Sequence, residues 1–122
     1  MVIKMIKTEF GIIENFNEKA DYTEYCPKKY HCVAIDDDLY LNDWWSALSL
    51  IDTYNVYSKG LLQPQKALSR WGITIIPPSS LPALLDIVLS DKRSKKDKRL
   101  IVFAGLLHRA IMENKYVIHY GV

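Results

Sequence analysis

The 122-residue sequence lacks the features that mark an exported or membrane protein. Its longest strongly apolar run, residues 100–107, is far shorter than the roughly 20 residues that cross a bilayer. The N-terminus has neither the apolar core nor the small-residue cleavage site of a signal peptide. Hydrophobic residues make up 49% of the chain and charged residues 25%, which is typical of globular proteins. These observations favour a cytoplasmic protein with no membrane contact.

Cysteine is scarce, with only Cys26 and Cys32 in the chain. A disulfide between them would require a close approach of the two backbones, and in a reducing compartment both are expected to be free thiols. Together with His31 they offer three possible zinc ligands. However, His31 and Cys32 are adjacent, a fourth ligand is not evident and no C-x-x-C spacing occurs. We therefore expect neither a metal nor a cofactor.

Motifs of catalysis are missing as well. His31, His108 and His119 are scattered, and no serine, cysteine or aspartate is placed by a known motif to complete a triad with them. A glycine-rich phosphate-binding loop is also absent. We therefore expect a protein that is not an enzyme. A hydrolase whose site assembles only in the folded chain is the weaker alternative.

The hydrophobic pattern predicts one compact α+β domain over residues 1–122, with a small, mainly antiparallel sheet packed against several helices. Ile73–Ile76 is β-branched almost throughout and is followed by two prolines, so it is predicted to be a buried strand. Tyr116–Tyr120 is the predicted neighbour of that strand. Further strands are expected at residues 2–6, 10–16 and 30–35, the first two as a hairpin linked by residues 7–9 with a bulge at Gly11.

Apolar residues at helical spacing predict the helices. Phe103 and Leu107 lie on one stripe with Leu100 and Ile111, so the longest helix is expected over residues 96–114, packed on the sheet. Other helices are expected at 44–51, started by Asn42 or Asp43, at 65–71, started by Pro64 and ended by Gly72, and at 81–89, capped by Ser79 or Ser80. Residues 52–60 either extend the first of these helices or form a short one.

The net charge of +2 conceals a strong asymmetry along the chain. Residues 1–61 carry ten acidic and six basic side chains, whereas residues 62–122 carry four acidic and ten basic ones. The acidic excess is sharpest between Glu9 and Asp52, and the basic excess is sharpest at Lys92–Arg99. Such separation can steer a charged partner towards the protein.

The acidic excess centres on three consecutive aspartates before the first helix. They do not form a calcium loop, because the glycine at its sixth place and the glutamate at its twelfth are missing. One interpretation is a solvated turn that also caps the helix. The other is a binding patch for a basic protein, in which the side chains stand exposed. In that case the expected contact residues are Glu24, Asp36, Asp37, Asp38, Tyr40 and Asp43.

The basic stretch Lys92–Arg99 suggests contact with nucleic acid. No aromatic residue is interleaved there for base stacking, and no known nucleic-acid-binding motif surrounds it. A charged, solvated loop is therefore the favoured interpretation. The alternative is a small nucleic-acid-associated or regulatory protein that uses this basic stretch.

A resemblance to a known family is carried by RWGITIIPPSSL at residues 70–81 and NKYVIHYGV at residues 114–122. These segments resemble small bacterial immunity proteins of contact-dependent growth inhibition and related polymorphic toxin systems. In those proteins a YGITLIPP-like strand, a serine-capped helix, a charged helix and a short closing strand recur; here Trp71 replaces the commoner tyrosine. The resemblance covers roughly the C-terminal half.

The resemblance implies a cytoplasmic protein that binds and neutralises one cognate toxin domain, often a nuclease, by occluding its active site or substrate surface. It implies no catalytic residues. A nuclease toxin with a basic cleft would be complementary to the acidic segment between Glu9 and Asp52. The nucleic-acid alternative instead requires salt-sensitive binding through Lys92–Arg99 without any protein partner. A gene for a large secreted toxin immediately upstream would distinguish the two.

Overall fold

Six strands form one sheet in the computed structural model, which describes residues 7–57 and 61–121. The strands are β1 (Lys7–Ile13), β2 (Val33–Asp36), β3 (Asp52–Tyr57), β4 (Leu61–Lys66), β5 (Ile73–Ile76) and β6 (Tyr116–Tyr120). Their order is β2-β1-β6-β5-β3-β4, and every neighbouring pair is antiparallel. The α-helices in the same ranges are α1 (Asn42–Leu48), α2 (Leu81–Ser90) and α3 (Lys98–Met112). The predicted α+β class is thus confirmed.

The main core lies between the helices and one face of the sheet. Phe103 and Leu107 of α3 are fully buried, as predicted, and Ile111 is half-buried. The Phe103 ring packs against that of Phe10 on β1, with centroids 4.4 Å apart. The helix begins after Asp97, whose side chain accepts a hydrogen bond from the Arg99 N–H at 2.9 Å. Sequence pattern and local capping therefore agree on this helix.

The opposite face of the sheet is covered by the long segment between β1 and β2. Phe16 of this segment stacks on Tyr116 of β6, with ring centroids 3.8 Å apart. A Cβ on Gly11 would lie 2.6 Å from the Tyr30 Cβ and 2.7 Å from the Cys32 sulfur, so glycine allows the segment to approach the strand. The ladder through Gly11 is regular, and the bulge predicted there is wrong.

Three further local predictions need correction, two at the starts of strands and one at the start of a helix. Residues 7–9, predicted as a hairpin link, belong to β1, and the predicted strand at 2–6 lies outside the described residues. The predicted strand at 30–35 begins only at Val33. Ser80 does not cap α2; its hydroxyl donates to the carbonyl of Asp52 at 2.6 Å instead.

Residues 52–57 and 61–66, predicted as helical in part, form the paired strands β3 and β4. Pro64 starts no helix. It belongs to β4, an edge strand of the sheet, and pairs with Tyr54 of β3. An edge strand tolerates the absence of the proline N–H, because the N–H on its outer side has no neighbouring strand to bond. Gly72 accordingly ends no helix. It precedes β5, and its carbonyl accepts a hydrogen bond from the Gly121 N–H at 2.7 Å. None of the described helices is long and apolar enough to cross a membrane.

Candidate protein-binding surface

The acidic turn, residues 36–43, leads from β2 into α1 through a short π-helical turn at Asp37–Leu41. Asp36 is half-buried, and its carboxylate accepts a hydrogen bond from the Leu39 N–H at 2.9 Å. The Asp36 side chain therefore acts as the local cap that carries the chain from strand to helix. Asp38 lies in the same turn, but its side chain is outside the described part of the chain.

Asp37 is buried and paired within the protein. Its carboxylate lies 2.5 Å from the guanidinium of Arg70, which also donates to the Asn42 side-chain oxygen at 2.7 Å. The same guanidinium lies over the Trp45 ring, 5.2 Å from its centroid. The expectation that Asp37 stands exposed is therefore wrong, because Arg70, from the loop before β5, neutralises it.

Arg93 pairs with two carboxylates, Asp43 in the first turn of α1 and Asp91 directly after α2. Its guanidinium contacts Asp91 at 2.6 Å and Asp43 at 2.9 Å, and it donates to the Leu39 carbonyl at 3.1 Å. The hydrogen bonds from Arg93 are the main reason why the pKa of Asp91 lies well below its usual range. Arg93 thus ties the acidic turn to the beginning of the basic stretch.

Tyr40 is buried beneath this ion-pair network. Its hydroxyl donates to the carboxylate of Asp97, and the Arg93 guanidinium lies 4.7 Å from its ring centroid. Burial, reinforced by the bond to Asp97, raises the pKa of Tyr40 to about 12. Tyr40 consequently has almost no surface to offer a partner, and the expectation that it stands exposed is wrong.

Asp43, in contrast, is exposed and lines a groove between α1 and α2. The volume of this groove is about 510 Å³. Its lining residues are Asp43, Trp44, Ala47, Asp86, Ile87, Ser90, Asp91 and Arg93. Asp86 is exposed and forms no ion pair with any described side chain. Three carboxylates and one guanidinium give this groove a negative charge.

Glu24 is exposed at the end of the sheet where β6 finishes. Next to it, Tyr25 is 58% exposed, its hydroxyl donates to Glu9, and its ring meets the edge of the Tyr120 ring at 4.9 Å. Trp71 lies at the same end, two residues before β5, and is 75% exposed. Sequence reasoning missed Tyr25 and Trp71 as surface aromatics, because composition alone does not separate core from surface rings.

The basic stretch, residues 92–99, is more exposed and less paired than the acidic turn. The side chains of Lys92, Lys95, Lys96, Lys98 and Arg99 are exposed. None of these five forms an ion pair with another side chain that the structure describes. The folded protein therefore pairs much of its acidic turn internally and presents these basic side chains to solvent.

Cys26 and Cys32 are half-buried free thiols. Burial raises the pKa of Cys32 to about 12, so this thiol is a poor nucleophile near neutral pH. Within residues 7–57 and 61–121, no three His, Cys, Asp or Glu side chains are grouped closely enough to hold a metal. His31, in the turn before β2, and His108, on α3, are both exposed.

His119 is the one histidine of the three that is fully buried. Its Nε2 is hydrogen-bonded to the Thr8 hydroxyl, and its ring lies 4.8 Å from that of Phe10. Its Nδ1 has no partner among the described atoms. Burial lowers the pKa of His119 from 6.5 to about 3, so the imidazole is neutral in the folded protein at neutral pH.

This buried imidazole is expected to make the folded protein acid-sensitive. Between pH 6.5 and about 3 the unfolded chain binds a proton at His119 that the folded chain excludes. The contribution to stability is thus present above pH 6.5 and is lost as pH falls, by at most about 1.4 kcal/mol per pH unit. Urea unfolding of the wild type and of His119→Gln at several pH values should show a shallower pH dependence for the variant. Equal slopes would contradict the assignment.

Comparisons of the chain with models of protein families, with curated proteins and with solved structures found no match.

Proposed function

We propose that the protein is an immunity protein, which binds and neutralises a cognate bacterial toxin domain in the cytoplasm. The first support is the resemblance carried by residues 70–81 and 114–122. These two segments are neighbours in the fold, because β5 and β6 pair directly and the Gly121 N–H bonds to the Gly72 carbonyl. The resemblance therefore belongs to one structural unit at the centre of the sheet.

The observation that carries the proposal is the exposure of Trp71, which belongs to the same unit. Tryptophan and tyrosine are enriched among the residues that dominate binding energy in protein interfaces. Here Trp71 and Tyr25 are both largely exposed at one end of the sheet, and the exposed residue Glu24 adjoins Tyr25. An aromatic surface with an acidic neighbour suits a basic protein domain, such as a nuclease that binds phosphates.

Neutralisation in this proposal is steric and electrostatic. A bound immunity protein occludes the active site or the substrate surface of the toxin, and its carboxylates take positions that substrate phosphates would otherwise occupy. Six residues are expected at the contact, and the structure describes the side chains of five of them. Of these five, Glu24 and Asp43 are exposed. Asp37 and Tyr40 are buried, and they stabilise the acidic turn through their contacts with Arg70 and Asp97.

The proposal predicts protection of a bacterial host from the toxin domain encoded immediately upstream of this gene. Growth should stop when the toxin domain is expressed alone and should resume when this protein is expressed with it. Trp71→Ala should protect less well, because it removes an exposed anchor while leaving the core unchanged. A matched control is Leu61→Ala, an exposed apolar residue on β4. Growth arrest that persists at full expression of the wild-type protein would contradict the proposal.

A second candidate function is favoured by the exposed charges of the basic stretch. Five exposed cations within residues 92–99 could contact a nucleic-acid backbone, with an affinity that falls steeply as salt rises. The stretch offers no aromatic ring for base stacking, so we expect binding with little preference for nucleotide sequence. Salt-sensitive binding of the purified protein to duplex DNA or RNA, lost in Lys95→Glu/Lys96→Glu, would support this function over the first.

A further inference from the structure

The groove between α1 and α2 combines an apolar lining with uncompensated negative charge. Trp44, Ala47 and Ile87 provide the apolar part, and the carboxylates stand along it. The Trp44 indole N–H donates to Asp91 at 2.9 Å, which fixes the ring. Asp91 already bonds to Arg93 and to this indole, so its carboxylate is not offered to a partner.

Two carboxylates in the groove remain able to receive a cation. Asp43 meets Arg93 through Oδ2, and its side chain is 64% exposed. Asp86 faces the groove from α2 and forms no ion pair with any described residue. After Arg93 has balanced one of the three carboxylates, two negative charges are left without a counter-charge in the lining.

The surroundings of the groove resemble an interface more than an ordinary solvated surface. Leu50 is 79% exposed, and its N–H bonds to the carbonyl of Ala47 in the groove lining at 3.2 Å. Leu89, next to the lining residue Ser90, is 54% exposed. An exposed leucine just after α1 and another near the end of α2, beside an acidic groove, favour a partner that covers apolar surface and places a cation within it.

We propose that this groove receives a lysine or arginine side chain of the toxin domain, which pairs with Asp86 and Asp43 while apolar residues of the toxin cover Leu50 and Leu89. This inference rests on the proposed function and assigns a second part of its interface. The groove is connected with the Trp71 end through Arg70, which immediately precedes Trp71 and donates to the Asn42 side chain at the start of α1. A charge within an apolar, water-poor contact chiefly lowers the dissociation rate.

The test uses the purified toxin domain and measures association and dissociation rates with the wild type and two charge reversals. Asp86→Lys reverses one charge in the groove, and Glu18→Lys makes the same change at an exposed residue elsewhere that forms no ion pair with a described side chain. We expect Asp86→Lys to weaken the complex by about 30-fold or more, mainly through faster dissociation. Glu18→Lys should change the affinity by less than about threefold. Thermal unfolding of both variants should match the wild type, since both positions are exposed.

Each outcome has a distinct meaning. Equal effects of the two reversals, with tight binding by the wild type, would overturn the groove inference and leave the proposed function standing. Absence of binding by the wild type would overturn both. A second copy of this chain is the other candidate occupant, since its basic stretch is also complementary to the groove. Sedimentation analysis could show that the wild type is a dimer and that Asp86→Lys is a monomer. That result would overturn the inference that a toxin side chain occupies the groove and would identify the groove as a self-association site.

Discussion

Replacing Phe103 with alanine is expected to lower the free energy of unfolding by about 3–5 kcal/mol. Phe103 is fully buried between α3 and the sheet, and its ring packs on Phe10. Removing the ring loses its apolar transfer energy and leaves a cavity that the paired strands cannot fill without distortion. Because domains of this size are stable by only about 5–15 kcal/mol, a large part of the unfolding free energy would be lost. Urea denaturation followed by circular dichroism measures the change.

The matched control is Val102→Ala on the same helix. Val102 is exposed, so its truncation should change the free energy of unfolding by no more than about 0.5 kcal/mol. If Phe103→Ala proved as mild as Val102→Ala, the packing of α3 on the sheet would be wrong.

Replacing Arg70 with methionine is expected to cost about 3–5 kcal/mol of stability, because it leaves the carboxylate of Asp37 buried without a counter-charge. The double variant Arg70→Met/Asp37→Leu should recover much of that loss, since both charges are then removed together. Chemical denaturation of the two single variants and the double variant gives the coupling energy.

The exposed pair between Lys66 and Asp52 serves as the control for this cycle. Both side chains are largely solvated, so Lys66→Met should cost less than about 1 kcal/mol. A similar small cost for Arg70→Met would show that Asp37 is hydrated rather than buried.

The burial of Asp37 also decides which positions are suitable for binding experiments. Reversal of Asp37 to lysine would disturb the fold, so Asp43 and Asp86 are the informative positions for binding experiments.

The elements that the sequence predicts well are those with strong local patterns. The β-branched run of β5 and its pairing with β6 are confirmed, and α2 and α3 lie within two residues of their expected bounds. In each case the apolar spacing and the ends agree, so local preference and tertiary packing favour the same structure.

The β3–β4 hairpin was harder to predict because its two strands carry different signals. In β3, Thr53, Tyr54 and Val56 are good strand formers, and this preference identifies the strand once the preceding helix is ended at Leu48. The sequence of β4 has no alternation and contains Pro64, which suits a helix start as well as an edge strand. Pairing with β3, a tertiary effect, decides between the two.

The candidate surface shows a similar limit. The sequence identifies the carboxylates of the acidic turn, but their partners Arg70 and Arg93 lie 33 and 50 residues away from Asp37 and Asp43. Only the fold reveals that these pairs exist and that Tyr40 is buried beneath one of them. The same holds for the groove, since Asp43 and Asp86 belong to helices that are distant in the sequence.

The most direct test of the proposed function is calorimetric titration of the purified toxin domain with this protein. We expect a saturable complex of one immunity protein with one toxin domain, weakened clearly by Trp71→Ala and little by Leu61→Ala. Absence of heat and of a joint peak in gel filtration, with both proteins folded and the toxin domain active, would contradict the proposal that this protein acts by binding a toxin.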